Sequence, residues 1–177
     1  MNIPNILTLI RFIIIPVFGY FLYNGAYETA VYLFLLGGVT DILDGYIARK
    51  FNMITSFGKL ADPVADKSMQ ITALILLTAQ GKIPPEIIII IIAKEIFMGL
   101  GSILLYRKEH FVVSANWYGK LATVIFFLAI ILTLFNEKYT LFSEKYSDIL
   151  IVIALLVNLF AFFMYSMTYR KLRNVTK

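Results

Sequence analysis

The sequence contains no cysteine and a single histidine among its 177 residues, and only 15% of it is charged. Without cysteine there is no disulfide, no zinc-thiolate site and no thiol nucleophile. The lone histidine, His110, stands in a short basic loop and reads as an interfacial side chain. Near the start there is neither a basic n-region nor a small-residue cleavage site, so the first apolar run reads as a retained span and not as a signal. The scarcity of charge excludes the most: 60% of the residues are hydrophobic and the mean hydropathy is +0.82, outside the usage of soluble domains.

Long apolar runs take the place of those missing features. Runs sufficient to cross roughly 30 Å of hydrocarbon lie near residues 6–23, 29–48, 60–79, 86–105, 115–135 and 148–167. The expected fold is an all-α integral membrane protein of six transmembrane helices, forming a single domain over residues 1–177. The opening stretch from Ile3 to Arg11 mixes polar and apolar residues as an N-terminal interfacial amphipathic segment does. Loops are short, the longest expected over 136–147. With both termini inside, the inner loops hold Arg49, Lys50, Lys59, Arg107, Lys108 and the basic C-terminus, against Lys82, Lys138 and Lys145 outside. That asymmetry predicts a multi-pass cell-membrane protein with its inner end in the cytoplasm. The net charge of +5 then points to anionic membrane lipids and not to nucleic acid.

Ionisable residues inside spans cost several kcal/mol on insertion scales and mark function. Here they are concentrated: Asp41 and Asp44 near the inner end of the second span, Asp62 and Asp66 at the inner start of the third, and Lys94-Glu95 in the fourth. At about 100° per residue, Asp41, Asp44, Gly45, Ala48 and Arg49 share one helix face, and Gly58, Asp62 and Asp66 form a narrower stripe on the next helix. A short loop joins the two stripes, so they face each other. Four carboxylates converging in a low dielectric repel unless cations neutralise them, and oxygen donors suit Mg²⁺ or Mn²⁺. Small residues beside them admit a bulky group to the backbone, and Arg49 offers a fork for phosphate. The combination describes metal-assisted phosphoryl-type transfer.

Taken singly, these residues have plainer readings. Asp62 before Pro63 reads as an N-cap and first helical residue, Asp44-Gly45 as a turn, and Asp41 as a solitary cavity residue. The spacing does not match the calcium loop of an EF-hand. An intramembrane cation pathway needs polar residues continuing outward, whereas Leu74 to Leu77 and Leu128 to Leu134 are almost wholly apolar.

Read as one string, Asp41-x2-Asp44-Gly45-x2-Ala48-Arg49-x8-Gly58-x3-Asp62-x3-Asp66 resembles, at every specified position, the signature of the CDP-alcohol phosphatidyltransferases. Eight fixed residues at roughly 5% background each coincide by chance about once in 10^10 trials. The opening Ile3-Pro4-Asn5 with Thr8 and Arg11, and the run Asp62-Pro63-x-Ala65-Asp66-Lys67, look like the family's bacterial phosphatidylglycerophosphate synthases. The resemblance implies the CDP-alcohol phosphotransferase fold, a homodimer, and two divalent cations, Mg²⁺ or Mn²⁺, held by Asp41, Asp44, Asp62 and Asp66. It implies that Asp66 is also the catalytic base, deprotonating an acceptor hydroxyl that attacks CDP-diacylglycerol and releases CMP. Gly45, Ala48 and Gly58 would then pack around the cytidine, with Asn5, Thr8 and Arg49 near the diphosphate.

The acceptor is left open between glycerol 3-phosphate and phosphatidylglycerol. Synthases that use glycerol 3-phosphate typically show Arg-Glu in the fourth span, a second arginine eight residues on, and Gly-Lys-x-Lys-Thr opening the fifth. This chain has Lys94-Glu95, Ser102 and Gly119-Lys120-Leu121-Ala122-Thr123. The family's cardiolipin synthases, with phosphatidylglycerol as acceptor, share the two missing cations. Lys94, Arg107 and Lys120 are the expected acceptor-binding residues.

Overall fold

In the computed structural model six helices follow one another: α1 (Ile3–Tyr23), α2 (Tyr27–Lys50), α3 (Ser56–Ala79), α4 (Pro85–Glu109), α5 (Trp117–Tyr139) and α6 (Glu144–Val175). The structure describes residues 2–109, 117–140 and 144–175, with the backbone alone at 59, 99–109, 144, 145, 147, 148 and 168–175. His110 lies outside the described residues, and so does the side chain of Arg107.

The turns follow from residues that tolerate positive φ. Gly25 and Gly81, each at φ 72°, follow the C-caps of α1 and α3, and Asn52, at φ 52°, follows that of α2. Asparagine and glycine are the residues for which this left-handed conformation is least strained. Such short turns make consecutive helices antiparallel. α1 packs on α2 and α3, α5 on α2 and α6, and α4 on α3 and α6.

Each expected span has its helix, with three differences in detail. α1 runs without a break from Ile3, so the amphipathic opening is the first turns of a spanning helix. The reason is that Thr8 and Arg11 turn inward, where carboxylates of α2 and α3 meet them. α3 starts at Ser56, with Thr55 as its cap: Thr55 Oγ1 accepts the Gly58 N–H at 2.9 Å. Asp62 therefore lies well inside the helix and Pro63 is an interior proline, which rules out the N-cap reading of that pair. The loop expected over 136–147 contracts, because α5 continues to Tyr139. Asn136 is buried, and Glu137 and Lys138 are occupied by ion pairs with Lys82 (2.6 Å) and Glu28 (3.3 Å).

The apolar core fills the half of the bundle away from the aspartates. Phe18 and Leu22 of α1, Phe34 of α2, Leu74 and Leu77 of α3, Ile130 and Leu134 of α5 and Ile151 of α6 are buried together. Phe34 lies between Phe18 and Phe127, with ring centroids 5.5 Å and 4.6 Å away. α2 approaches α3 and α5 closely at Gly37 and Gly38, where an added Cβ would collide with Met69 and the Phe127 ring. Small residues at such crossings are how membrane helices gain packing contacts when the surrounding lipid is equally apolar.

The outward surface is apolar as well, with Ile13, Leu60, Ile89, Val124 and Phe163 among its exposed side chains. Among the described residues, four stretches are long and apolar enough to cross a bilayer: α1, α2, α5 and residues Ile149–Met167 of α6. In α3 the apolar pattern is interrupted by Asp62, Asp66 and Lys67. The protein is a multi-pass membrane protein in which Arg11, Asp41, Asp44, Asp62 and Asp66 gather at one end.

Candidate active site

At that end, α1 presents Asn5, Thr8 and Arg11 at helical spacing on one side. Thr8 and Arg11 are 0% and 1% exposed. Arg11 bridges to α2: Nη1 stands 2.8 Å from Asp41 Oδ1, and Nη2 donates to Asp44 Oδ2. The Asp41 contact is an ion pair without a well-aligned hydrogen bond, and Nε has no hydrogen-bond partner. Asp44 is buried, whereas the Asp41 side chain is 42% exposed.

Thr8 Oγ1 donates to Asp62 Oδ1 at 2.5 Å, which ties α1 to α3. Asn5 does the same one turn earlier, its Oδ1 accepting from Thr55 Oγ1 at 2.8 Å. An added Cβ at Gly58 would stand 3.2 Å from Thr55 Oγ1 and 3.3 Å from Asn5 Oδ1. Gly58 is thus the residue that lets α1 close on the start of α3. One turn beyond Asp62, half-buried Asp66 accepts from Gln70 Nε2 at 3.3 Å. The charge of Asp62 acts on Asp41 and Asp44, and that of Asp41 on Asp66. Arg49 is exposed and folds back over Gly45, its guanidinium nitrogens 3.5 Å from where a Cβ would be. It has no ion-pair partner among the described residues.

Asp41 and Asp44 are drawn to Arg11, Asp62 to Thr8 and Asp66 to Gln70, and among the described residues no three acidic side chains close on a single point. Arg11 provides the positive charge between Asp41 and Asp44. The donor set itself, oxygen only and fourfold acidic, has the chemistry that Mg²⁺ and Mn²⁺ select.

Beside Asp66 the chain continues into a second polar space. A cavity of about 240 Å³ between α3, α4, α5 and α6 is lined by Lys67, Lys94, Glu95, Lys120, Asn158 and Tyr165, among others. Glu95 Oε1 accepts from Lys67 Nζ at 2.9 Å and forms an ion pair with Lys94 Nζ at 2.6 Å. Lys94 is 7% exposed, whereas Lys120 is exposed.

The sequence profile of the CDP-alcohol phosphatidyltransferases matches residues 1–164. The chain belongs to this family. Three curated relatives, each named CDP-diacylglycerol--glycerol-3-phosphate 3-phosphatidyltransferase, are similar over most of their length. The Bacillus subtilis (strain 168) protein is 34% identical, the match covering 86% of this chain and 87% of the relative. The Aquifex aeolicus (strain VF5) protein is 30% identical over 89% and 92%, and the Rickettsia felis (strain ATCC VR-1525 / URRWXCal2) protein 33% over 86% and 87%. The phosphatidyltransferase fold expected from the motif is accordingly the helical membrane bundle found.

For this phosphatidyltransferase the structure gathers Asp41, Asp44, Asp62 and Asp66, with Asn5, Thr8, Gly45, Arg49 and Gly58, at one end of α1, α2 and α3; Ala48 is on the same last turns of α2. Lys94 and Lys120 line the second cavity. Three residues have a larger part than the sequence reading assigned. Arg11 is the counter-ion of two aspartates, and the same insertion-cost argument that singled out the aspartates applies to an arginine inside a span. Lys67 and Glu95 were visible as charges in spans, but their pairing across α3 and α4 was not.

Proposed function

We propose that the chain transfers the phosphatidyl group of CDP-diacylglycerol to glycerol 3-phosphate, releasing CMP and forming phosphatidylglycerophosphate. The observation that carries the reading is that Lys67, the residue after Asp66 on α3, lines a lysine-rich cavity of about 240 Å³, next to the end of the bundle where the four aspartates gather. One space has donors for a metal-bound diphosphate and the adjoining one has cations for a small anionic acceptor. The names of the relatives point to the same pair of substrates.

In this reading Asp41, Asp44, Asp62 and Asp66 would hold two divalent cations, whose chemistry there would be to neutralise negative charge on the diphosphate. Arg49, exposed on the last turn of α2, binds a diphosphate oxygen, and Asn5 and Thr8 of α1 stand beside the same group. Gly45, Ala48 and Gly58 leave room for the cytidine against the backbone. Lys94 and Lys120, with Arg107 from the end of α4, hold the acceptor phosphate. Asp66 takes the proton of the acceptor hydroxyl, whose oxygen bonds to the lipid-side phosphorus as the bond to the CMP oxygen breaks. The basic residues at this end of the bundle support a cytoplasmic orientation, where a water-soluble acceptor is available.

The test is incubation of purified protein with CDP-diacylglycerol, Mg²⁺ or Mn²⁺, and either glycerol 3-phosphate or phosphatidylglycerol, with CMP quantified and the lipid product identified. Phosphatidylglycerophosphate is the expected product. Cardiolipin instead would reassign the acceptor, an outcome that Ala122, buried in the cavity wall, keeps in view. No CMP with either acceptor defeats the proposal. In the same assay Asp41→Ala is expected to move the metal activation midpoint upward by at least about 10-fold, the loss seen even for residues that merely support a ligand. An unchanged midpoint removes Asp41 from the metal site.

A further inference from the structure

Asn158 is a polar residue in the middle of the most apolar stretch of α6, 8% exposed. Its amide is oriented by two backbone carbonyls: Nδ2 donates to Ala154 O of its own helix at 3.1 Å and to Ala122 O of α5 at 3.5 Å. That leaves Oδ1 directed at α4, where it accepts from Lys94 Nζ at 2.9 Å. Lys94 Nζ also stands 2.6 Å from Glu95 Oε1 as an ion pair. An ammonium has three donors, so even with one turned to each partner one is left, and Lys94 and Asn158 both line the cavity that Lys67 borders.

The chemistry of the partner matters as much as its position. Lysine 94 already shares one carboxylate with Lys67. A second carboxylate at 158 would match two negative charges to the two lysines and leave little field for a ligand. A neutral amide oxygen instead fixes the ammonium without cancelling its charge. We infer that Asn158 is the positioning residue of the acceptor site, holding Lys94 so that its remaining donor and its uncancelled charge meet the phosphate monoester of the acceptor. The inference rests on the phosphatidyltransfer reading above and extends it to a residue on the sixth helix.

The competing role for a buried asparagine in a membrane helix is helix-to-helix adhesion, and Asn158→Asp separates the two. Aspartate is nearly isosteric and keeps an oxygen toward Lys94 but loses the Nδ2 bonds to Ala154 O and Ala122 O, so an adhesive role predicts lower thermal stability with both KM values unchanged. The positioning role predicts a KM for glycerol 3-phosphate raised at least about 10-fold, equivalent to 1.4 kcal/mol, with the KM for CDP-diacylglycerol unchanged. Asn158→Leu, which removes the Lys94 contact, is expected to raise the same KM, and its thermal unfolding in detergent reports any loss of adhesion separately. Glycerol 3-phosphate KM values within twofold of wild type in both variants overturn the inference while leaving phosphatidyltransfer intact, as do equal increases in the two KM values. A wild-type protein that makes lipid from phosphatidylglycerol and not from glycerol 3-phosphate overturns it together with the acceptor assignment.

Discussion

Asp66→Asn is expected to leave a folded protein that binds CDP-diacylglycerol and turns over at least about 10²-fold to 10⁴-fold more slowly, the range that a positioned base contributes. The side chain is half-buried, its neighbour Gln70 donates to the carboxylate at 3.3 Å and 3.4 Å, and an asparagine oxygen accepts that bond equally well. What the amide lacks is a basic lone pair for the acceptor proton, together with the charge of a metal ligand. Asp66 also precedes Lys67, which lines the lysine-rich cavity, and in the proposed reaction the acceptor hydroxyl approaches the donor phosphorus from there. The measurement is single-turnover CMP release at saturating Mg²⁺, alongside a thermal unfolding scan. Wild-type turnover in the variant takes Asp66 out of the mechanism.

Arg11→Met carries the largest expected effect on stability. Its guanidinium is buried between Asp41 and Asp44, and Asp44 has no other way to be neutralised by its immediate neighbours on α2. Breaking a buried ion pair by deleting one partner typically costs about 3–5 kcal/mol, because the remaining charge stays buried and uncompensated. Thermal unfolding in detergent with a chelator present should therefore show a marked loss relative to wild type. Mg²⁺ is expected to restore more stability to the variant than it adds to the wild type, since a ligand that binds only the folded state stabilises it and the cation replaces the missing positive charge. Equal Mg²⁺ responses in the two proteins would dissociate Arg11 from the site that the aspartates form.

Much of this protein was legible before any coordinates. Sparse charge and six apolar runs led to six helices because hydrocarbon admits few backbone arrangements. The Asp41 to Asp66 string predicted facing stripes because helical periodicity and a short connecting loop leave little freedom. The same reasoning had less hold on ends and partners. Asp62-Pro63 looked like a cap, yet Thr55 performs that role, since a cap is decided by which hydroxyl reaches which N–H and not by residue type alone. The opening stretch from Ile3 to Arg11 read as an interfacial segment, yet it is the start of a spanning helix, because Asp41, Asp44 and Asp62 meet Arg11 and Thr8 inside the bundle.

The sequence by itself determined membrane embedding, family and the identity of the acidic residues, all consequences of local hydropathy and of spacing within one or two helices. Only the tertiary structure decided that Arg11 is the counter-ion of Asp41 and Asp44, that Glu95 is shared by Lys67 and Lys94, and that Asn158 reaches Lys94 across 64 positions of chain. Those pairings depend on how helices distant in sequence rotate against one another, and that rotation is settled by packing at places such as Gly37, Gly38 and Phe127, which no periodicity within a single helix encodes.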